Sequence, residues 1–162
     1  MNKDQRQLEV LISSINEVTR IESVISSLPR GYISVKRIAG HTYYYRQWRE
    51  GDKIVSNYVP EPFLNGVKQK IVIRKENEQL LKITKKDLEK AIRLVHKAGL
   101  LDDNQIDQLK ASAKYDNLPL NEREELANKN FPNANEKVKS AISYYVEGIA
   151  SYNNILLTEW GF

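Results

Sequence analysis

Hydrophobic residues recur along the first 28 residues with a spacing of about three and a half positions, and polar residues fill most of the gaps. This pattern predicts one amphipathic helix over residues 3–28. Pro29 and Gly31 follow the stripe and end the helix, because proline lacks a backbone donor and glycine permits a turn. The stripe must pack on a second helix, and it consists of Leu8, Leu11, Ile15, Val18, Ile25 and Leu28.

Residues 31–59 contain three runs rich in aromatic and β-branched residues, separated by short glycine-containing connections. The runs cover residues 32–38, 41–49 and 53–59, and the connections hold Ala39-Gly40 and Glu50-Gly51-Asp52. Connections this short join neighbouring antiparallel strands, so the sequence predicts a three-stranded antiparallel β-meander. An isolated sheet of this size is marginal in water, and one of its faces must therefore lie on helices.

The helical spacing returns between Pro62 and Ala98, and Gly99 is predicted to end this second long helix. Thr84 and Asp87 are spaced like a capping box, which makes Ile83-Thr84 a candidate interruption. The predicted fold class is α+β and mostly helical. Long antiparallel helices pack on the meander in a first domain of residues 1–99.

Residues 100–162 are predicted to form a C-terminal helical segment. Breaks at Pro119 and Pro132 divide it into three pieces. The first helix runs from Asp103 to about Ala113, the second from Asn121 to about Lys129, and the last from Asn133 or Asn135 to about Thr158.

Composition narrows the classes of site that the chain can build. There is no cysteine, which excludes disulfides and thiolate metal sites. No apolar run typical of a signal peptide or a membrane span is found, so cytoplasm is the expected location. The net charge is +4, but residues 30–86 carry thirteen Lys or Arg against five Asp or Glu, and residues 100–162 carry six against ten. The basic middle can attract phosphate or an acidic protein surface, or it forms a solvated face balanced by the acidic end.

Candidate catalytic groups are few. His41 and His96 are the only histidines, and the positions one helical turn from His96 are Ile92 and Leu100 rather than carboxylates. No Gly-rich phosphate loop, nucleophile elbow or pair of catalytic carboxylates is recognised. The expectation is a non-enzymatic protein without a cofactor or a metal.

The aromatic and basic run 41–49 is the first candidate binding surface. In a strand, Thr42, Tyr44, Arg46 and Trp48 share one face, and His41, Tyr43, Tyr45, Gln47 and Arg49 share the other. Aromatic rings beside cations are typical of surfaces that bind single-stranded nucleic acid. The alternative is that tyrosine is simply a good strand residue on a half-exposed sheet. The candidate nucleic-acid-binding residues are Lys36, Arg37, Tyr44, Arg46, Trp48, Arg49 and Lys53.

This middle stretch also resembles a small uncharacterised family of bacterial and phage mobile elements. Its pattern is a leading helix, an "LPKGSI" start, a "YYYLQYREGGKVKSKYI" hairpin and a charged helix. The corresponding segments here are residues 28–38, 43–51 and 53–59, within a match over roughly residues 5–95. The resemblance implies an origin and an architecture, and it implies no activity.

A second resemblance lies near the C-terminus. Residues 143–148, Ser-Tyr-Tyr-Val-Glu-Gly, are similar to the S/T-x-x-x-E-G/N motif of antitoxins that silence Fic-domain AMP-transferases. The resemblance implies that Glu147 pairs with an arginine of the Fic site and displaces the γ-phosphate of ATP, that Ser143 holds this geometry and that Gly148 gives clearance. Tyr144 would join them in contacting the partner.

The same C-terminal helix can also be explained by packing. An apolar stripe from Val138 to Leu156 steps by three and four residues, as in a helix that docks on its own core. Taken together, these observations predict a non-enzymatic binding protein from a mobile element or phage that inhibits a partner protein. The alternative is a nucleic-acid-binding module that uses the basic, aromatic meander and contacts DNA or RNA.

Overall fold

The computed structural model describes residues 2–114 and 157–161. Its fold class is α+β, as predicted, with long helices and one three-stranded antiparallel sheet. The elements in chain order are α1 (Lys3–Ser26), β1 (Tyr32–Ile38), β2 (His41–Glu50), β3 (Lys53–Val59), a 3-10 turn (Glu61–Phe63), α2 (Leu64–Lys97) and α3 (Asp103–Ala113).

Helix α1 begins with a reciprocal cap. The backbone N–H of Gln5 donates to Asn2 Oδ1 at 2.8 Å, and the backbone N–H of Asn2 donates to Gln5 Oε1 at 3.3 Å. These bonds satisfy two of the donors that a helix start leaves without partners. The helix buries one face, and its buried side chains are Leu8, Leu11, Ile12, Ile15, Val18 and Ile21.

The sheet is the predicted meander, with β2 in the centre and β1 and β3 at the edges. Two-residue turns join the strands, because Ile38 pairs with His41 and Glu50 pairs with Lys53. In the first turn Ala39 has a φ of 52° and Gly40 has a φ of 79°. Two successive positive φ values are the signature of a type I′ turn, whose twist matches that of antiparallel strands.

Helix α2 is continuous from Leu64 to Lys97, so the predicted interruption at Ile83-Thr84 is wrong. Thr84 is a buried residue inside the helix rather than an N-cap. The reason is packing along the helix, which buries Leu64 and Ile71 in its first part and Leu88 and Val95 in its second, with half-buried residues such as Leu81 between them. Burial of a regular apolar face outweighs a local cap of about 1 kcal/mol.

Helix α3 has the predicted bounds. Its N-cap, Asp102, accepts a bond from the backbone N–H of Gln105 at 2.8 Å, and the Gln105 side chain accepts from the backbone N–H of Asp102 at 3.0 Å. Residues 157–159 are also helical. The helix predicted over residues 121–129, and most of the one that follows it, lie outside the described residues.

The described chain forms two compact units. One unit is Ile21–Lys82, which holds the end of α1, the whole sheet and the first part of α2. The other combines the first twenty residues with the described residues from Ile83 onwards, and its buried side chains include Leu11, Val95 and Leu109. The predicted domain boundary near Gly99 stays a prediction. Within residues 2–114 and 157–161, no helix combines the length and the apolar character needed to cross a membrane.

Candidate nucleic-acid interface

The register of the three strands divides the sheet residues between two faces. Residues directly opposite each other across a ladder project to the same side. One side, the tyrosine face, carries Tyr32, Ser34, Lys36, Ile38, His41, Tyr43, Tyr45, Gln47, Arg49, Ile54, Ser56 and Tyr58. The other, the tryptophan face, carries Ile33, Val35, Arg37, Thr42, Tyr44, Arg46, Trp48, Glu50, Lys53, Val55, Asn57 and Val59.

Aromatic rings contact one another across the tyrosine face. The ring centroid of Tyr58 lies 5.8 Å from that of Tyr45 and 6.3 Å from that of Tyr43, and His41 lies 6.5 Å from Tyr43. The interplanar angles of 58° to 63° tilt the rings against each other. Tilted pairs of this kind are favourable, and they hold each ring in a defined orientation.

The tyrosine face is nevertheless open to solvent. Tyr58 is 56% exposed and Tyr32 is 52% exposed, while Tyr43 and Tyr45 are half-buried by their neighbours. Apolar residues on the same face are also exposed, with Ile54 at 60%. Aromatic surface that a fold leaves in water is more informative than a buried ring, because it marks sites of interaction when it is contiguous.

Cations accompany these rings, and no carboxylate belongs to this face. Lys36 Nζ lies 4.7 Å from the centroid of the Tyr45 ring, which is a cation–π contact. Arg49 is exposed at the other end of β2. Between them the Tyr32 hydroxyl donates to Gln47 Oε1 at 3.0 Å, and Gln47 Nε2 donates to Ser56 Oγ at 3.4 Å.

The part of the tryptophan face around Arg46 and Trp48 makes contacts inside its own unit. The Arg46 guanidinium stacks on Trp48, with 3.9 Å from Cζ to the ring centroid, and its Nη1 donates to the carbonyl oxygen of Arg30 at 2.7 Å. The indole N–H of Trp48 donates to Glu50 at 2.9 Å, and Glu50 also pairs with Arg30 at 3.4 Å. Val59 at the end of β3 is buried. This face is therefore the one that lies towards the helical residues of its unit.

Burial lowers the pKa of the Arg46 guanidinium, and the positive charges of Arg30 and Arg74 lower it further. The direction of this shift means that its surroundings disfavour the positive charge. A guanidinium keeps its positive charge in proteins, and an anion beside Arg46 would therefore be stabilised.

A groove of about 570 Å³ opens where α1, β3 and α2 meet inside the Ile21–Lys82 unit. Apolar atoms supply more of its wall than polar atoms, and two cations line it. Its lining residues are Ser26, Ser27, Leu28, Pro29, Arg46, Asn57, Tyr58, Val59, Pro60, Phe63, Val67 and Lys70.

The structure does not bring the predicted nucleic-acid-binding residues onto one surface. Lys36 and Arg49 lie on the tyrosine face. The other five lie on the tryptophan face, and they are Arg37, Tyr44, Arg46, Trp48 and Lys53. Sequence reasoning assigned the alternation within β2 correctly, but it did not include the residues that the neighbouring strands add.

Tyr58 is the most informative residue that sequence reasoning missed. It sits opposite Tyr45 on β3, and it contacts two rings of β2. The signal was present in the sequence, because the two-residue turn at Gly51-Asp52 fixes this pairing. Phe63 and Lys70 of the groove carried no such signal, because they lie in the 3-10 turn and in α2, where no strand register places them beside β3.

The remaining candidate residues add no second site. Ser143, Tyr144, Glu147 and Gly148 lie outside the described residues, and the inhibitor hypothesis that depends on them stays a prediction. His96 Nε2 lies 2.9 Å from Asp103 Oδ1, a partner supplied by the first residue of α3. Among residues 2–114 and 157–161, no group of three His, Asp or Glu side chains is arranged to hold a metal ion.

Comparison with known proteins gives one match. Residues 1–69 are similar to a domain of unknown function, DUF6788. The matched segment contains all of α1 and the whole sheet, and it ends in the first turns of α2. The tyrosine face therefore belongs entirely to the matched segment. No curated protein and no solved structure matches the chain.

Proposed function

We propose that this protein binds single-stranded nucleic acid, with unpaired bases stacked on its tyrosine face. The observation that carries the proposal is the cluster of Tyr43, Tyr45 and Tyr58, open to solvent and flanked by Lys36. Stacking on an aromatic side chain contributes about 1–3 kcal/mol per base, and every base has a flat face that can take part.

The chemistry of this face favours a single strand over a duplex. Bases in a duplex are already stacked on each other, so their flat faces are not available to a protein ring. A sheet surface that offers rings and few fixed hydrogen-bond partners gains most from a strand whose bases are free. The tyrosine rings also predict weak discrimination between bases. Stacking contacts the flat face that all bases share, and it does not contact the hydrogen-bonding groups on the base edge that differ between them.

Electrostatics supports the same ligand. The tyrosine face carries Lys36 and Arg49 and no Asp or Glu, and it belongs to the basic middle of the chain. Phosphate groups of a bound strand would meet cations that have no carboxylate partner on that face. Release of counterions from the phosphates then makes the affinity depend steeply on salt.

The tyrosine face is a better candidate than the tryptophan face because it carries the more exposed aromatic rings, those of Tyr32 and Tyr58. Arg46 and Trp48 already contact each other, and each donates a hydrogen bond to another residue of the unit. A base that stacked on Trp48 would have to displace the Arg46 guanidinium. The Tyr45 ring is likewise covered by Lys36, whereas the Tyr58 ring is 56% exposed and can take a base directly.

A matched pair of arginines tests which face binds. Arg49 and Arg37 are both exposed and both on the sheet, but they project from opposite faces. We expect Arg49→Gln to weaken binding of a fluorescent oligothymidylate and to reduce the slope of log K against log salt by about 0.7. Arg37→Gln should leave the slope near that of the wild type. Fluorescence anisotropy titrations at several salt concentrations give both numbers.

Substitution of a ring tests the stacking itself. Tyr45→Leu keeps an apolar side chain in the strand but removes the flat ring, and we expect a loss of about tenfold in affinity. Tyr45→Phe keeps the ring and should bind like the wild type. Equal binding by Tyr45→Leu and the wild type, with circular dichroism showing both folded, would contradict the proposal.

A further inference from the structure

The groove beside β3 has the composition of a site for an anionic ligand with a flat apolar part. Its apolar wall includes Phe63, which is 65% exposed, together with Val67 and Leu28. Its cations are Arg46 and Lys70, and none of the lining residues is an Asp or a Glu. A phosphate beside the two cations and a base against Phe63 would satisfy both parts of this wall.

Two carboxylates of this unit, Glu50 and Glu78, are already paired, and Glu61 lies in the turn between Pro60 and Phe63 without lining the groove. Glu50 bonds to Arg30 and to the Trp48 indole, and Glu78 bonds to Arg74 at 2.9 Å. Among the described residues, no carboxylate lies within ion-pair distance of Arg46. The positive charge of Arg46 therefore meets the Arg30 carbonyl oxygen and the Trp48 ring but no carboxylate in this part of the structure, and burial together with two other guanidinium groups disfavours it.

One residue connects the groove to the tyrosine face. Tyr58 contacts the rings of Tyr43 and Tyr45, and it also lines the groove. It lies on β3, an edge strand, so a nucleic-acid strand that crosses the sheet from β2 towards β3 leaves it over Tyr58. The next groups of that strand then reach the groove.

We propose that the groove is an extension of the single-strand site, in which Lys70 and Arg46 bind a phosphate and Phe63 stacks on the following base. This inference rests on the proposed function, because the strand must first occupy the tyrosine face. The groove proposal predicts that affinity depends on the length of the strand, which binding to the tyrosine face alone does not predict. The groove contributes only to strands long enough to extend beyond Tyr58.

Two lysines on α2 make the test specific. Lys70 lines the groove and Lys68 does not, although both are exposed and both lie in the first turns of α2. Lys70→Gln is expected to weaken a strand of about nine nucleotides about fivefold at about 0.1 M salt, and to lower its salt slope by about 0.7. Lys68→Gln should change neither quantity by a comparable amount. A strand of about three nucleotides, which the tyrosine face can hold by itself, should bind both variants like the wild type.

A second variant addresses the base instead of the phosphate. Phe63→Leu removes an exposed ring, and it should weaken the longer strand about tenfold and leave the shorter strand unchanged. Thermal unfolding of each variant shows whether the fold is retained.

The outcomes of these experiments distinguish the groove proposal from the proposal for the tyrosine face. Loss of binding by Tyr45→Leu with a length-dependent loss by Lys70→Gln supports both proposals. Loss by Tyr45→Leu, with Lys70→Gln equal to Lys68→Gln on the longer strand, overturns the groove and leaves the proposed function standing. Wild-type protein that binds neither strand overturns both.

Discussion

Arg74 is the residue that joins α2 to the end of α1 inside the Ile21–Lys82 unit. Its Nη1 donates to the carbonyl oxygens of Ile25 at 2.9 Å and Leu28 at 2.6 Å, and its Nε donates to Glu78 at 2.9 Å. The last carbonyls of a helix have no partner within the helix, and they carry the negative end of its dipole. A guanidinium supplies both a donor and a positive charge at that point.

Replacement of Arg74 by Met should therefore destabilise the fold. Arg74→Met leaves two partly buried carbonyls without this donor, and we expect the free energy of unfolding to fall by about 2 kcal/mol. Lys75→Met, at an exposed neighbouring position, is the matched control and should change it by less than about 0.5 kcal/mol. Urea denaturation followed by circular dichroism measures both values. Equal midpoints for the two variants would show that the Arg74 bonds contribute little.

Individual contacts of this kind could not be predicted from the sequence. The alternation of Tyr44, Tyr45 and Arg46 along β2 was predictable, because the side-chain period of a strand is fixed. The contacts of Arg46 with the Arg30 carbonyl and with Trp48 were not predictable. They depend on how the segment before β1 folds back, and nothing in the local pattern specifies that path.

At the scale of elements, the β1–β2 turn carries a residue that does not suit its conformation. Ala39 adopts a φ of 52°, a left-handed region that costs a non-glycine residue about 1 kcal/mol or more. Asparagine tolerates this region better than alanine does, and Asn-Gly is the preferred pair for a type I′ turn.

Ala39→Asn is therefore expected to stabilise the protein. The gain should be about 0.5–1 kcal/mol, because the new residue relieves the left-handed strain without touching the strands. Thermal unfolding measures it as a higher melting temperature. Ala98→Asn, at an exposed position next to the end of α2, serves as the control for a general effect of asparagine. A melting temperature for Ala39→Asn at or below that of the wild type would contradict this account of the turn.

Most helices and strands could be predicted from the sequence, because the turn and capping residues indicate the same ends as the pattern of buried residues. The three strands and α3 have nearly their predicted bounds, since short turns and an Asp102–Gln105 cap fix their ends. The exception is Thr84, where a capping-box spacing stood inside a burial stripe. Local propensity gives way when a regular apolar face can be buried over its whole length.

At the scale of the whole molecule, the choice of a candidate binding surface depended on which face of the sheet is exposed, and the sequence did not show this. Both faces of the meander carry rings and cations, so composition alone left open which face contacts the rest of its unit. In the structure, Val59, Arg46 and Trp48 make internal contacts from one face, whereas the tyrosine face carries the exposed rings of Tyr32 and Tyr58. The candidate residues chosen from the sequence were consequently divided between two surfaces.

The inhibitor hypothesis concerns a different part of the chain and can be tested independently. If residues 143–148 act as their resemblance implies, the wild-type protein should inhibit AMP transfer by a Fic-domain enzyme, and Glu147→Ala should abolish that inhibition. A carboxylate competes with phosphate for the same arginine donors, and alanine cannot. Radiolabelled AMP transfer to a protein substrate provides the measurement.

Two comparisons make that result interpretable. Glu136→Ala removes a carboxylate outside the motif, and it should inhibit like the wild type. Tyr45→Leu should also inhibit normally, because it alters only the sheet. Absence of inhibition by the wild-type protein would contradict the inhibitor hypothesis. It would not bear on the proposal that the protein binds nucleic acid.

The stacking of Arg46 on Trp48 gives the protein an intrinsic optical reporter. The sequence contains two tryptophans, Trp48 and Trp160, and the indole of Trp48 lies 3.9 Å from a guanidinium that also lines the groove. Indole emission responds to charge at the ring face. An anion that draws the positive charge of Arg46 towards itself thus alters the fluorescence of Trp48, and a ligand can be followed entering the groove without a label on either molecule.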